Sequence, residues 1–260
     1  MPEHDSRVPF GSTATAVGAV VLDRATGAVT ERVAADLPFR SASVVKILLA
    51  LDHLWERGPL DELPAAEHSR LTDMLRRSHD GAASHYWARN GGSAIVARMA
   101  ARLGLTGTAP PPASHPGFWG YTALTAADTV RLYRHLLEDT PAPVRDLVMG
   151  ALRTAPRTAA DGYDQYFGIP SAFARPWSLK QGWSGFDAPC GPADREASGA
   201  CGIDLVGGVL HSTGTVGADD RAVVALLTLH PEGTPYPDAC AEVDRLAAGL
   251  RVPGAVHAGP

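Results

Sequence analysis

Two stretches rich in β-branched and apolar residues, one near each end of the chain, enclose a long middle whose apolar residues recur at helical spacing. Thr13–Leu22 (TATAVGAVVL), a turn at Asp23–Gly27 and a second run at Ala28–Val33 read as a β-hairpin. Strand patterns return only at Trp177–Trp183, Ile203–Val216 and Ala222–His230. Between them helices are predicted over Pro64–Arg77, Gly81–Asn90, Ser93–Leu103, Thr125–Leu137 and Ala142–Leu152, and a last one over Asp238–Leu250. Thr125–Asp128 resembles a capping box and Asn90-Gly91-Gly92 is a stop signal. From Ser43 the chain reads SVVKILLALDHLWE, apolar almost all round, which predicts a buried helix with Ser41 or Ser43 at its N-terminus. This order predicts an α+β fold: a sheet domain from residues 1–56 and 171–260, an all-helical domain of residues 57–170 inserted into it, and the ligand site in the cleft between them.

Composition excludes more than it identifies. A chain of 260 residues buries well over half of its unfolded surface, which excludes general disorder. The net charge of −5, with both signs mixed along the chain, leaves no basic stripe, so neither nucleic acid nor a membrane is expected as a partner. No window approaches 18 apolar residues, and Met1–Phe10 has no apolar core of an export signal. A cytoplasmic location is the expectation, a mature exported protein the alternative. Cys190, Cys201 and Cys240 match no metal spacing; Cys190 and Cys201 close a short disulfide loop or remain thiols. The ten histidines are scattered, and no P-loop, HExxH, GxGxxG or GxSxG is present, so neither a metal nor a cofactor is expected.

Of 23 basic residues only Lys46 and Lys180 are lysine; the rest are arginine. Arginine keeps its proton, whereas a desolvated lysine can give it up and act as a base. Ser43 and Lys46 lie three apart at a helix start, on one face, and Lys46 is the only charge in VVKILLAL. One reading is a capping serine beside an outward-reaching lysine. The other is a nucleophilic hydroxyl beside a neutral amine, with the helix N-terminus stabilising an oxyanion. Lys180 lies in WSLKQGWSG, where Gly182 permits close approach of a ligand to the backbone. Arg77-Ser78-His79-Asp80-Gly81 forms a polar break between two helices. Trp119, Phe118, Trp183 and Phe186 either line a cleft or pack.

SASVVK, then RRSHDGAASHYWARNGG, then LKQGWSG, in this order, resemble the SxxK, SxN and KTG motifs of the serine β-lactamases and penicillin-binding proteins, with class A β-lactamases nearest. The resemblance runs from about Val17 to the C-terminus. It implies an antiparallel sheet flanked by helices, with an inserted helical domain. It also implies that Ser43 is acylated, that Lys46 takes its proton, that Ser78 relays a proton to the leaving group, and that Lys180 holds the field there and attracts a substrate carboxylate. The backbone N–H groups of Ser43 and Trp183 would form the oxyanion hole; Asp80, Gln181, Gly182, Trp183 and Ser184 would meet the substrate.

Three departures redirect that expectation. Asp80 stands where the family usually has asparagine and, ionised, only accepts hydrogen bonds; beside two lysines it favours their charged forms. Gln181 replaces a hydroxyl in the basic triplet, with Ser184 as a nearby substitute. The stretch Gly104–Tyr121, which corresponds to the class A Ω-loop, contains no Asp or Glu to activate a deacylating water; His115 is its only titratable side chain besides the terminal tyrosine. A transferase or hydrolase is therefore expected that forms an acyl-enzyme from a small amide or ester and passes the acyl group to an amine or alcohol or, slowly, to water, as a transacylase of actinobacterial secondary metabolism would. A weak β-lactamase or D-alanyl peptidase, and a binding or sensor protein without turnover, are the alternatives.

Overall fold

In the computed structural model, which describes residues 12–55, 63–186 and 191–259, the strand-forming ends of the chain meet in one antiparallel sheet. Its strands are β1 (Ala16–Asp23), β2 (Val29–Val33), β5 (Trp177–Ser184), β6 (Gly208–Val216) and β7 (Ala222–His230), in the order β2-β1-β7-β6-β5. β1 pairs with β7 in an unbroken register from Ala16↔Leu229 to Asp23↔Ala222. The fork of Arg221 onto Asp23, at 2.6 and 2.9 Å, ties the β1–β2 turn to the start of β7.

β1 and β7 are apolar residue after residue because both sheet faces are covered. Val20, Leu22, Val223, Ala225 and Leu227 pack on one side, against helices from the middle of the chain. These are α1 (Lys46–Leu54), α2 (Ala65–Arg76), α3 (Asp80–Arg89), α4 (Ser93–Leu103), α5 (Ala126–Glu138) and α6 (Ala142–Arg153). Val17, Ala19, Val21, Val224 and Leu226 face the other way, onto α7 (Ile169–Ala172) and α9 (Tyr236–Ala248). Period-two alternation thus feeds two cores from one strand. α1 is wrapped by other elements, as its all-round apolar sequence predicts, and the Arg98 fork onto Asp52, both contacts at 2.5 Å, joins it to α4.

Two details bring the site together. β3 (Phe39–Arg40) and β4 (Ala123–Leu124) form a separate two-stranded ladder that sets the end of the Gly104–Tyr121 loop beside Ser41–Ser43, with Ser41 N–H donating to Thr122 O at 2.8 Å. The Asp128 carboxylate accepts from Thr106 N–H, Gly107 N–H and the Thr108 hydroxyl at 2.8–3.2 Å, anchoring the loop's start. Of the expected capping box, the half in which Thr125 Oγ1 accepts from Asp128 N–H, at 3.0 Å, is formed; the acid serves the loop instead.

Elsewhere sequence and structure differ. Ile203–Gly207 is not strand, because Asp204 folds its carboxylate onto the N–H groups of Val206 and Gly207 and the chain turns there. Helix α8 (Pro192–Cys201) was not expected; its start signals are Pro192 in the first turn and Asp194 accepting from Gly191 N–H at 3.2 Å. A Cys190–Cys201 pairing lies outside the described residues.

Candidate active site

Ser43 occupies a short 3₁₀ turn, Ala42–Val45, that runs directly into α1. In a 3₁₀ turn residues three apart eclipse one another. The tighter winding accordingly brings Lys46 Nζ to 2.8 Å from Ser43 Oγ. Neither Ser41 nor Ser43 caps this helix through its side chain, so the Ser43 hydroxyl is not spent on the backbone. Ala42, immediately before it, holds a left-handed φ of 45°, as does Ser78 at 56°. Strain of that kind on non-glycine residues concentrates at functional sites.

Lys46 is wholly buried. Apart from its contact with Ser43 Oγ, it donates to Ser78 O at 2.6 Å and to Asp80 Oδ1 at 2.5 Å. Those two partners can only accept. A neutral amine has two N–H bonds and one lone pair; with both N–H groups taken, the lone pair is left for the Ser43 hydroxyl proton. Burial pushes the Lys46 pKa down, while Asp80 and, less strongly, Asp161 push it back up. Burial prevails, so the anion expected to spoil the base only moderates the shift.

Lys180, on β5, is also buried and lies well below its ordinary pKa, through burial first and the neighbouring Lys46 second. It donates to the Ser78 hydroxyl oxygen and to Gln181 O. With its oxygen already accepting, the Ser78 O–H is free to donate elsewhere. Asp80 is the first residue of α3. Lys46 and Lys180 are thereby linked through Ser78, one at its carbonyl and the other at its hydroxyl.

Gly182 shows why this strand can serve the site. A Cβ there would lie 3.0 Å from Ser41 O and 3.3 Å from Ser43 N, so a bare backbone is what lets β5 lie against the nucleophile turn. Ser43 and Trp183 consequently line the same cleft, about 360 Å³ in volume, together with Asp80 and Ser184. Gln181 takes a different place. Its amide donates to Gln165 O at 3.1 Å and Phe167 O at 2.6 Å, and its side chain is turned into the protein body rather than into the cleft.

The loop that Gln181 holds carries Asp161, a cleft residue sequence reasoning missed. Asp161 accepts from Trp183 Nε1 at 3.0 Å and from Tyr163 N–H at 3.2 Å. The same loop is tied to the chain just ahead of Ser78 by Ala160 N–H donating to Arg77 O at 2.8 Å. The opposite wall is the end of the Gly104–Tyr121 loop, where Phe118, Trp119 and Tyr121 face the cleft. The Trp119 ring centroid lies 4.7 Å from Lys46 Nζ, and Trp119 Nε1 donates to Ser84 Oγ at 3.2 Å. His115 is removed from the chemistry: its ring stacks edge-on against Phe118 and reaches Asp194 on α8.

A five-stranded antiparallel sheet packed against a helical layer is shared with known structures. The chain is similar to a class A β-lactamase from Mycobacterium abscessus (TM-score 0.61, 17% identity, 90% of this chain and 93% of that one). It is equally similar to a solved structure of PBP-A (TM-score 0.62, 18% identity, 94% and 90%) and to a β-lactamase from Streptomyces albus G (TM-score 0.59, 16% identity, 92% and 95%). The chain has the serine β-lactamase and penicillin-binding-protein-like fold. At the level of sequence it is similar to proteins named "Putative lipoprotein LppW" from Mycobacterium bovis and Mycobacterium tuberculosis, 34% identical over 232 residues. That alignment takes in 87% of this chain but 66% of those proteins, so the chain spans just under two thirds of their length. No protein-family model matches the chain. Among the described residues, no helix is long and apolar enough to cross a membrane.

Proposed function

We propose that the protein is a serine enzyme that forms an acyl-enzyme on Ser43 from an amide or ester. The observation that carries this reading is the 2.8 Å contact between Ser43 Oγ and a buried Lys46 whose remaining hydrogen-bonding partners can only accept. Neutral Lys46 takes the hydroxyl proton as Oγ attacks the carbonyl carbon. The N–H groups of Ser43 and Trp183 receive the oxyanion. Ser78 relays a proton to the departing amine or alkoxide, its oxygen regaining one from the Lys180 ammonium that donates to it, so the step closes with Lys46 protonated and Lys180 neutral.

The second half-reaction is directed away from water. The loop facing Lys46 presents the Trp119 ring there and holds no Asp or Glu from Gly104 to Tyr121. An amine or alcohol therefore resolves the acyl-enzyme faster than water does. The name of the mycobacterial relatives favours an exported setting over the cytoplasmic one expected from Met1–Phe10.

Intact-mass measurements after exposure to penicillin G and to a p-nitrophenyl ester test the reading. The expected result is a one-acyl adduct on the native chain, none on Ser43→Ala, slow loss in buffer and faster loss with an added amine. An adduct on Ser43→Ala sinks the nucleophile assignment. Rapid loss in buffer alone marks a hydrolase, and an adduct indifferent to every acceptor marks a sensor.

A further inference from the structure

The charges that face the cleft are opposite in sign to those the family resemblance leads one to expect. Among its described lining residues the charged side chains are Asp80 and Asp161, and no cation is among them. Lys46 and Lys180 lie behind this surface, fully buried, with their hydrogen bonds directed to Ser43, Ser78, Asp80 and Gln181 O. The Gln181 amide, which would meet a substrate carboxylate, is committed to the carbonyls of Gln165 and Phe167.

Asp161 differs from Asp80 in touching neither lysine directly, although both buried amines feel its charge through space. Its partners are the neutral donors Trp183 Nε1 and Tyr163 N–H, it is solvent-exposed, and it makes no ion pair among the described residues. The nucleophile turn stands in the same cleft, so an acid there meets whatever reaches Ser43. Beside it is the Trp183 indole, and Trp119 and Phe118, the last 55% exposed, line the opposite wall of the same cleft. Aromatic faces attract cations and repel carboxylates. Acid and rings favour one ligand charge.

We infer that this cleft selects an acyl donor or acceptor that carries an ammonium or guanidinium group, seated at Asp161 between the cleft aromatics. Asp161 is a specificity-determining residue in this assignment. The inference deepens the proposed function and rests on it for the chemistry, though not for the binding. A substrate carboxylate in the same position would face two aspartates with no available cation.

Binding of small probes tests this without turnover. Benzylamine, benzyl alcohol and benzoate share a ring and differ in charge at neutral pH. Titrated into the native chain with tryptophan fluorescence or NMR shifts as the readout, benzylamine is expected to bind about tenfold more tightly than benzyl alcohol, with benzoate weakest. The benzylamine preference should fall to within about twofold in Asp161→Asn, persist in Asp161→Glu, and weaken with added salt. Benzoate binding as well as benzylamine, an unchanged preference in Asp161→Asn, or no benzylamine binding up to about 20 mM overturns the inference. Should Asp161→Asn not fold, Asp161→Ser takes its place. Failure of Ser43 to acylate leaves these binding results intact, and failure of the charge preference leaves the acylation result intact.

Discussion

Asp80 reaches Lys46 from the solvent side of the cleft, its carboxylate oxygen 2.5 Å from a nitrogen that is itself wholly enclosed. The carboxylate side chain is 67% exposed, so water screens it while the lysine bears the full cost of burial. That asymmetry explains how an ion-pair partner and a depressed lysine pKa coexist.

Lys46→Arg should abolish acylation although the positive charge is retained, because a guanidinium cannot take the Ser43 proton. A loss of about 10²–10⁴ in acylation rate is expected. Rapid-quench mass spectrometry of the adduct checks it, with circular dichroism to confirm folding. A Lys46→Arg chain that acylates at the native rate contradicts the neutral-amine mechanism.

Asp80→Asn removes the strongest influence holding the Lys46 pKa up. The free amine then persists to lower pH, so the acid limb of the acylation pH–rate profile should move toward lower pH. Reaction with penicillins, which carry a carboxylate, should rise at neutral pH. An unmoved limb would show that the carboxylate does not govern the base.

Trp119→Ala opens the space beside Lys46. Water gains access to the acyl-ester, and the adduct's lifetime in buffer should shorten. Adduct decay followed by mass reads this directly, and the rate of adduct formation serves as the control for a damaged nucleophile turn.

His211 offers a stability test. Its Nε2–H donates to Arg40 O at 2.9 Å, close to the nucleophile turn, and Nδ1 accepts from Thr228 N–H at 3.3 Å. Burial holds its pKa down to about 4. The unfolded chain binds a proton there between pH 6.5 and 4 that the folded chain refuses, so stability falls as pH drops through that window. His211→Gln should lessen the loss by about 2 kcal/mol, as urea melts at about pH 6.5 and about pH 4.5 would measure.

The parts of this molecule legible in its sequence are those set by local rules. Ser43 and Lys46 are related by a helical spacing, and the lysines are conspicuous in an arginine-rich chain, so spacing and residue choice single out a pair that the structure brings to 2.8 Å. The all-round apolar run that becomes α1 and the apolar β1 and β7 report burial on every side. Asp161 was not legible, because no periodicity marks its loop; it reaches the cleft through Gln181, whose amide holds the neighbouring carbonyls. Gln181 was misjudged for the same reason, since a side chain's direction in an edge strand depends on what packs behind it. Helix α8 escaped notice because PADREASGAC has too few large apolar residues to show a stripe.

The pairing of β1 with β7 has a bearing on how the chain is made. Ala19 lies opposite Leu226, so the strand just upstream of the nucleophile waits on the ribosome for a partner synthesised about 200 residues later, a delay of roughly 10–40 s at ordinary elongation rates. Lys180, Gly182 and Trp183 likewise emerge long after Ser43 and Lys46. A nascent or truncated chain would display Ser43 without Trp183 and without the lysine that holds the Ser78 hydroxyl. The cleft is therefore complete only near the end of translation.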